Sequence, residues 1–435
     1  MVIGGGFGGL YAARRLGHDE RIDLTLVDRR NHHVFQPLLY QVATGAVAPG
    51  DIAQPLRSIL RKNANTTVLL GEAVSLDPVK RDVGLSDGGP IAYDTLIVAT
   101  GARHSYFGHE EWAKNAPGLK SIDDATRVRR RILIAFEAAE REHVAERRRE
   151  WMTFVVVGGG PTGAELAGAL GEIAHDTLRR DFRSINPPDA QILLVEAVDR
   201  ILPGYPAGRS RSAERQLQRL GVIVRTKTRV TGISDHDATV EPAGGGPAER
   251  IPTRTVLWAA GVQASSFARV VAAATGAETD KAGRIKVASD LTIPAHPEIF
   301  VIGDAAVQPW KPERPVPGVA QGGIQGGRYA AKAILARLDG TAMAPFRFRD
   351  LGDVAVIGRL SGVTNIPWLG PLGRTGGFIA WLIWLGIHIV NLAGFHNRLI
   401  VLIRWAWSFV THGRGSRLIT GEPLTPDIEE PEPPA

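Results

Sequence analysis

Met1-Val2-Ile3-Gly4-Gly5-Gly6-Phe7-Gly8-Gly9 opens the chain as the end of a buried strand that turns through glycines into a helix starting near Leu10. Gly4, Gly6 and Gly9 match the spacing G-x-G-x-x-G, and a second strand, Ile22 to Val27, ends in Asp28, nineteen residues after Gly9. Alone the glycine pattern is weak. In this setting it carries a mechanism: glycines let the backbone approach a pyrophosphate, the helix N-terminus attracts its charge, and the acid accepts hydrogen bonds from ribose hydroxyls. A mere strand-to-helix turn leaves the acid unexplained.

It also leaves a repeat unexplained. Phe154-Val155-Val156-Val157 runs into Gly158-Gly159-Gly160-Pro161-Thr162-Gly163, and Gln191-Ile192-Leu193-Leu194-Val195 ends in Glu196. A strand from Tyr93 closes the first unit on Thr100-Gly101, and Thr255 to Gly261 echoes it. A separation of about 150 residues predicts two nucleotide-binding domains rather than a solenoid, whose periods are ~20–50 residues. The expected fold class is α/β: two Rossmann-like dinucleotide-binding domains, one inserted in the other, plus C-terminal amphipathic membrane-anchoring helices. Glu196 lies 33 residues beyond Gly163, which a longer connecting helix accommodates. An acid there repels a 2′-phosphate, favouring NADH, while Arg200 keeps NADPH in view. Glu165 falls in what reads as the first helical turn, where it could complement the helix dipole or take part in chemistry.

With 435 residues, the chain is about three times a ~150-residue domain. The boundaries expected are 1–115 and 263–345 for the first domain, 116–262 for the inserted one, 346–420 for a membrane-association region, and 421–435 for a disordered acidic, proline-rich tail. Arg127 to Glu150 reads as a mixed-charge helical linker with a solvated face, and Asp237 to Arg250 as a surface loop. The chain holds no cysteine, which excludes disulfide and thiolate chemistry and cysteine-ligated clusters. No carboxylate or cysteine cluster accompanies His32 and His33, so no metal site is expected.

The net charge of +6 is modest, but its placement is not. Six arginines (Arg359, Arg374, Arg398, Arg404, Arg414, Arg417) and no acid lie between Val354 and Thr420. Trp368, Trp381, Trp384, Trp405 and Trp407 share that segment, which suits an anionic membrane surface better than nucleic acid. Gly376 to Phe395 is free of formal charge, yet His388 and Asn391 fall on one stripe with Trp381 and Trp384. Asn397, Arg404, Ser408 and Thr411 make a polar face on the next segment, so two amphipathic helices in the membrane interface are expected rather than a span.

Two further stretches carry a resemblance. Asp28-Arg29-Arg30-Asn31-His32-His33-Val34-Phe35-Gln36-Pro37-Leu38-Leu39-Tyr40-Gln41-Val42-Ala43-Thr44-Gly45 and Ala320-Gln321-Gly322-Gly323-Ile324-Gln325-Gly326, together with the glycine repeats, resemble the two-dinucleotide-binding-domain flavoproteins. More closely they resemble the type II NADH:quinone oxidoreductases, over nearly the whole chain. The resemblance implies FAD in the first domain, held by Gly4, Gly6, Gly9, Asp28, Thr100, Gly101, Gly303, Asp304, Ala320 and Gln321. It implies NADH in the second, at Gly158, Gly160, Gly163, Glu165, Glu196 and Gly261.

Ala320-Gln321 to Gln325 is similar to the family's quinone-site motif, so Gln321 and Gln325 are implied beside the quinone and Glu165 on the proton route. Two neutral amides can bond quinone carbonyls and quinol hydroxyls without fixing a charge. The implied enzyme passes two electrons from NADH through flavin to menaquinone or ubiquinone, without pumping protons, as a homodimer on the cytoplasmic face of the cell membrane. Alternatives are a reductase of a ferredoxin-like protein or a low-turnover NADH sensor. The first strand is shorter than the family's usual five or six residues, so an upstream native start is expected. No lysine lies between Val354 and Thr420, so the lysine often found there in the family has no counterpart.

Overall fold

Val2–Ile3 is a strand of two residues, yet it lies inside a six-stranded sheet. Val2 pairs in parallel with Leu26 on one side and Ile97 on the other. The sheet continues through Thr66–Leu70 beyond Leu24–Asp28, and through His296–Val301 and Thr292–Ile293 beyond Leu96–Val98. Alternation sorts its side chains. Val2, Leu24, Leu26, Ile97 and Phe300 enter one core cluster, while Ile3, Val27, Leu96, Val98, Ile299 and Val301 enter another. A parallel sheet buried on both faces needs apolar residues at both parities, which these strands supply.

The structure is a computed structural model and describes residues 1–311, 314–392, 395–411 and 415–420. The chain divides into two units. Met1–Val34, Ala53–His104 and Val262–Leu351 build the first; Phe35–Ile52, Ser105–Gly261 and the described residues from Gly352 onward build the second. The second repeats the plan in a parallel sheet ordered Val222–Arg225, Gln191–Val195, Thr153–Val157, Thr255–Trp258.

Some expectations need correction. The run from Arg127 to Glu150 is no solvated linker: helix Ile122–Arg141, begun by a Ser121–Asp124 capping box, buries Val128, Ile132 and Phe136. Phe136 meets Phe154 at 5.2 Å, so most of the charges mark the outer face, with Arg129 buried beside the apolar residues. Asp237 to Arg250 is largely sheet, with Asp237–Pro242 paired antiparallel to Glu249–Pro252. Glu165 lies beyond the first turn of helix Pro161–Glu172 and is buried.

The C-terminal helices are Phe378–Asn391 and Phe395–Thr411, and no helix among the described residues is long and apolar enough to cross a membrane. The stripe expected on the first of them divides. Trp384 and His388 are buried and stacked at 4.3 Å, whereas Asn391 is exposed and bonds back to Ile387. The tail 421–435 and the side chains of Asn397, Trp407, Ser408, Thr411 and Arg414 lie outside the described residues.

Candidate functional site: two glycine loops and a buried carboxyl

Each central strand ends in the same device. Gly4 takes φ +102° and Gly158 φ +105°, conformations closed to most side chains. A Cβ on Gly9 would lie 1.8 Å from the Gly4 carbonyl oxygen, and one on Gly163 would lie 1.8 Å from that of Gly158. Gly6 and Gly160, the residues just before the helices Phe7–Leu16 and Pro161–Glu172, face open space and offer no side-chain cap. Neither glycine has a side chain to cap its helix, which leaves the helix start open to a pyrophosphate.

The acids expected to meet ribose hydroxyls also secure these loops. Asp28 Oδ2 accepts the Gly5 N–H at 2.6 Å and Oδ1 the Arg30 N–H at 2.7 Å. Glu196 Oε2 accepts the Gly159 N–H at 2.6 Å and Oε1 the Val198 N–H at 2.9 Å. The loop carbonyls are claimed as well. His33 Nδ1 donates to Gly5 O at 3.0 Å, and the Leu202 N–H donates to Gly159 O at 2.7 Å. Burial pushes the His33 pKa down, so the ring is neutral and its donating tautomer is set by Gly5. His33 is thus a loop brace that spacing alone did not reveal.

In the first unit Thr100 bonds Ser265 at 2.6 Å beside Gly101, which has φ +66°. Gly303, at φ +67°, and Asp304 start a short 3-10 turn after strand His296–Val301, and Gly318 approaches the Asp304 carboxyl. Ala320 opens the helix Ala320–Leu338 without a side-chain cap, and Gln321 and Gln325 follow in its first turns. That helix packs on Phe7–Leu16 through glycines: a Cβ on Gly327 would lie 2.1 Å from Gly8 O. These residues fit a bound dinucleotide, with open glycines, uncapped helix starts and an acid at the strand end. In the second unit Gly261, at φ +67°, lies against the Phe107 ring.

Helix Pro161–Glu172 carries something the first loop's helix lacks. Glu165, Ala169 and Glu172, with Asp176 and Thr177 of the following π-helical turn, line one wall of a cleft with about 820 Å³ of empty space, part of it open to solvent. Tyr40, Gln41 and Thr44 of helix Leu39–Ala43 and its end line another, joined by Val356, Arg359, Trp381, Trp384 and Trp405. Gln41 bridges the polar rim, accepting from Trp405 Nε1 at 2.7 Å and donating to the Tyr40 hydroxyl at 3.0 Å. Glu165 Oε1 accepts the Val356 N–H at 3.3 Å. Burial outweighs that bond and raises the Glu165 pKa to about 8, so at neutral pH it is a carboxylic acid able to donate. The acidic stripe was readable as helical spacing from Glu165; its indole partners, more than 200 residues away in sequence, were not.

Comparison with known proteins agrees with this geometry. Residues 1–332 match the pyridine nucleotide-disulphide oxidoreductase family. The chain is 44% identical over 429 residues to the type II NADH:quinone oxidoreductase Ndh of Mycobacterium tuberculosis, covering 97% of this chain and 90% of that one. It is 43% identical to NdhA of the same organism, also named a type II NADH:quinone oxidoreductase, covering 97% and 89%. NDH2 of Plasmodium falciparum, solved in complex with NADH, shares the fold with a TM-score of 0.86 at 18% identity, covering 95% of this chain and 98% of that one. By these matches the chain belongs to the type II NADH:quinone oxidoreductases, within the pyridine nucleotide-disulphide oxidoreductase family.

Proposed function

We propose that the chain is an FAD-dependent enzyme transferring two electrons from NADH to a membrane quinone without pumping protons. The observation that carries this reading is the pairing of two dinucleotide loops with one buried, neutral carboxyl facing an indole-lined cleft. The first loop is assigned to FAD, with Asp28, Thr100, Gly101, Gly303, Asp304, Ala320 and Gln321, and the second to NADH, with Glu196 and Gly261. FAD, when bound, accepts hydride from NADH and hands electrons to the quinone. Glu196 repels a 2′-phosphate and so selects NADH over NADPH.

The residues of the chain supply positioning and protons. Reduction of a quinone to a quinol takes up two protons. Glu165 holds one up to a pH of about 8, in a cleft whose indoles suit an uncharged ring better than a charged nucleotide. Gln321 is assigned to the quinone side. Peripheral attachment to a membrane surface is supported by the exposed Phe378, Ile379, Leu382, Val390 and Ile403 of the C-terminal helices; the cytoplasmic face is the expected location and a homodimer the expected assembly.

The test is steady-state NADH oxidation by the flavin-loaded protein, with and without a short-chain quinone, alongside flotation with anionic lipid vesicles. Quinone-dependent turnover and co-flotation are expected. A bound flavin that NADH reduces but no quinone reoxidises would move the acceptor to a protein partner.

A further inference from the structure

Residues 341–352 belong to no sheet, yet part of this stretch is held as a strand would be. Gln325 Nε2 donates to the Arg349 carbonyl at 2.8 Å, and Gln325 Oε1 accepts the Arg349 N–H at 2.9 Å. Gln321 Oε1 accepts the Leu351 N–H at 3.1 Å. The spacing explains the fit: four residues of helix advance ~6 Å, and two residues of extended chain span ~6.6 Å. Two glutamines four apart thus form two rungs for backbone groups two apart. Phe346 and Phe348 anchor the same segment in the core, edge-on to Tyr329 at 5.4 Å and Trp310 at 5.3 Å.

We propose that Gln325 is a positioning residue, which registers the extended chain from Phe346 to Leu351 and does not itself bond the quinone. Its carboxamide would have to give up two backbone hydrogen bonds to reach a quinone carbonyl. Its influence runs along the chain instead. Leu351 is the last residue of the first unit, and the next residues form strand Asp353–Gly358, whose Val356 N–H holds Glu165. The inference rests on quinone being the acceptor, but the rungs themselves can be tested without any acceptor.

The experiment is hydrogen exchange of the peptide covering Phe348–Gly352 in the full-length, flavin-loaded protein, paired with kcat and KM for a short-chain quinone. In Gln325→Ala the Arg349 and Leu351 amides should exchange about tenfold faster, and kcat should fall several-fold with KM within about twofold. Gln325→Glu keeps an acceptor for the Arg349 N–H and loses the donor, so it should restore part of the protection and part of kcat. It also carries the test should Gln325→Ala fail to retain flavin. Unchanged exchange with a KM raised about tenfold would overturn the proposal and leave the quinone assignment standing. A wild type inactive with quinone would defeat the assignment, while the exchange result would still decide the rungs.

Discussion

The loops at Gly4–Gly9 and Gly158–Gly163 are near copies in backbone, glycine contacts and acid anchor, but the helices they launch bury different things. Phe7–Leu16 presents Gly8 to the glycines of Ala320–Leu338, so two backbones come close, and it buries no carboxyl group. Pro161–Glu172 presents Gly168 to strand Asp353–Gly358, where an added Cβ would lie 2.0 Å from Ile357 O, and buries Glu165 nearby. A loop that binds a dinucleotide is therefore a fixed part. What distinguishes the two units chemically is the second layer of helix packing.

The largest effect should come from the glycines that have no room for a methyl group. Gly9→Ala should abolish flavin retention, measured as flavin absorbance per chain. Gly163→Ala should keep flavin and lose NADH binding, measured by titration. If both variants lose flavin alike, the loops do not divide the two dinucleotides.

Next comes Glu165→Gln, which should lower quinone turnover about 100-fold near pH 7 while leaving flavin reduction by NADH intact. Wild-type turnover should hold below pH about 8 and decline above it as the carboxyl ionises; the variant should show no such decline. Stability follows the same proton. The folded protein retains it from the ordinary carboxyl value of 4.5 up to about 8, where the unfolded chain has lost it, so this contribution shrinks as pH rises through that window. Melting of Glu165→Gln across pH 5 to 9 should lack that slope.

The smallest effect should be at the acids. Asp28→Ala should reduce flavin content in part, and Glu196→Ala should raise the NADH requirement about tenfold with flavin content unchanged, since each removes charged acceptors from two N–H groups. Equal effects of both variants on flavin would merge what the comparison separates.

Both loops were legible in the sequence because the constraint is local: positive φ and backbone proximity admit glycine at fixed spacings, and the strand end fixes the acid. The expected helix, strand and glycine order of each dinucleotide unit follows from the same local rules. Packing against distant residues was less legible. The mixed charge of Arg127 to Arg141 hid Phe136 and its neighbours, because only one face of a helix is buried. Trp384 and Asn391 share a helical stripe in sequence but part in the fold, since Trp384 has His388 and Trp405 to pack on. Glu165 was singled out as an acid near a helix start, yet its raised pKa depends on burial that its neighbours in sequence do not encode. The glutamine motif was read as a pair of ligands, and its rungs to Arg349 and Leu351 became visible only once the extended chain was in place.

The most direct test of the divided roles is anaerobic rapid mixing of the flavin-loaded protein first with NADH and then with a short-chain quinone, in wild type, Gly163→Ala and Glu165→Gln. Wild-type flavin should bleach with NADH and recover with quinone; Gly163→Ala should fail at the first step, and Glu165→Gln only at the second. Failure of both variants at the same step would contradict the account.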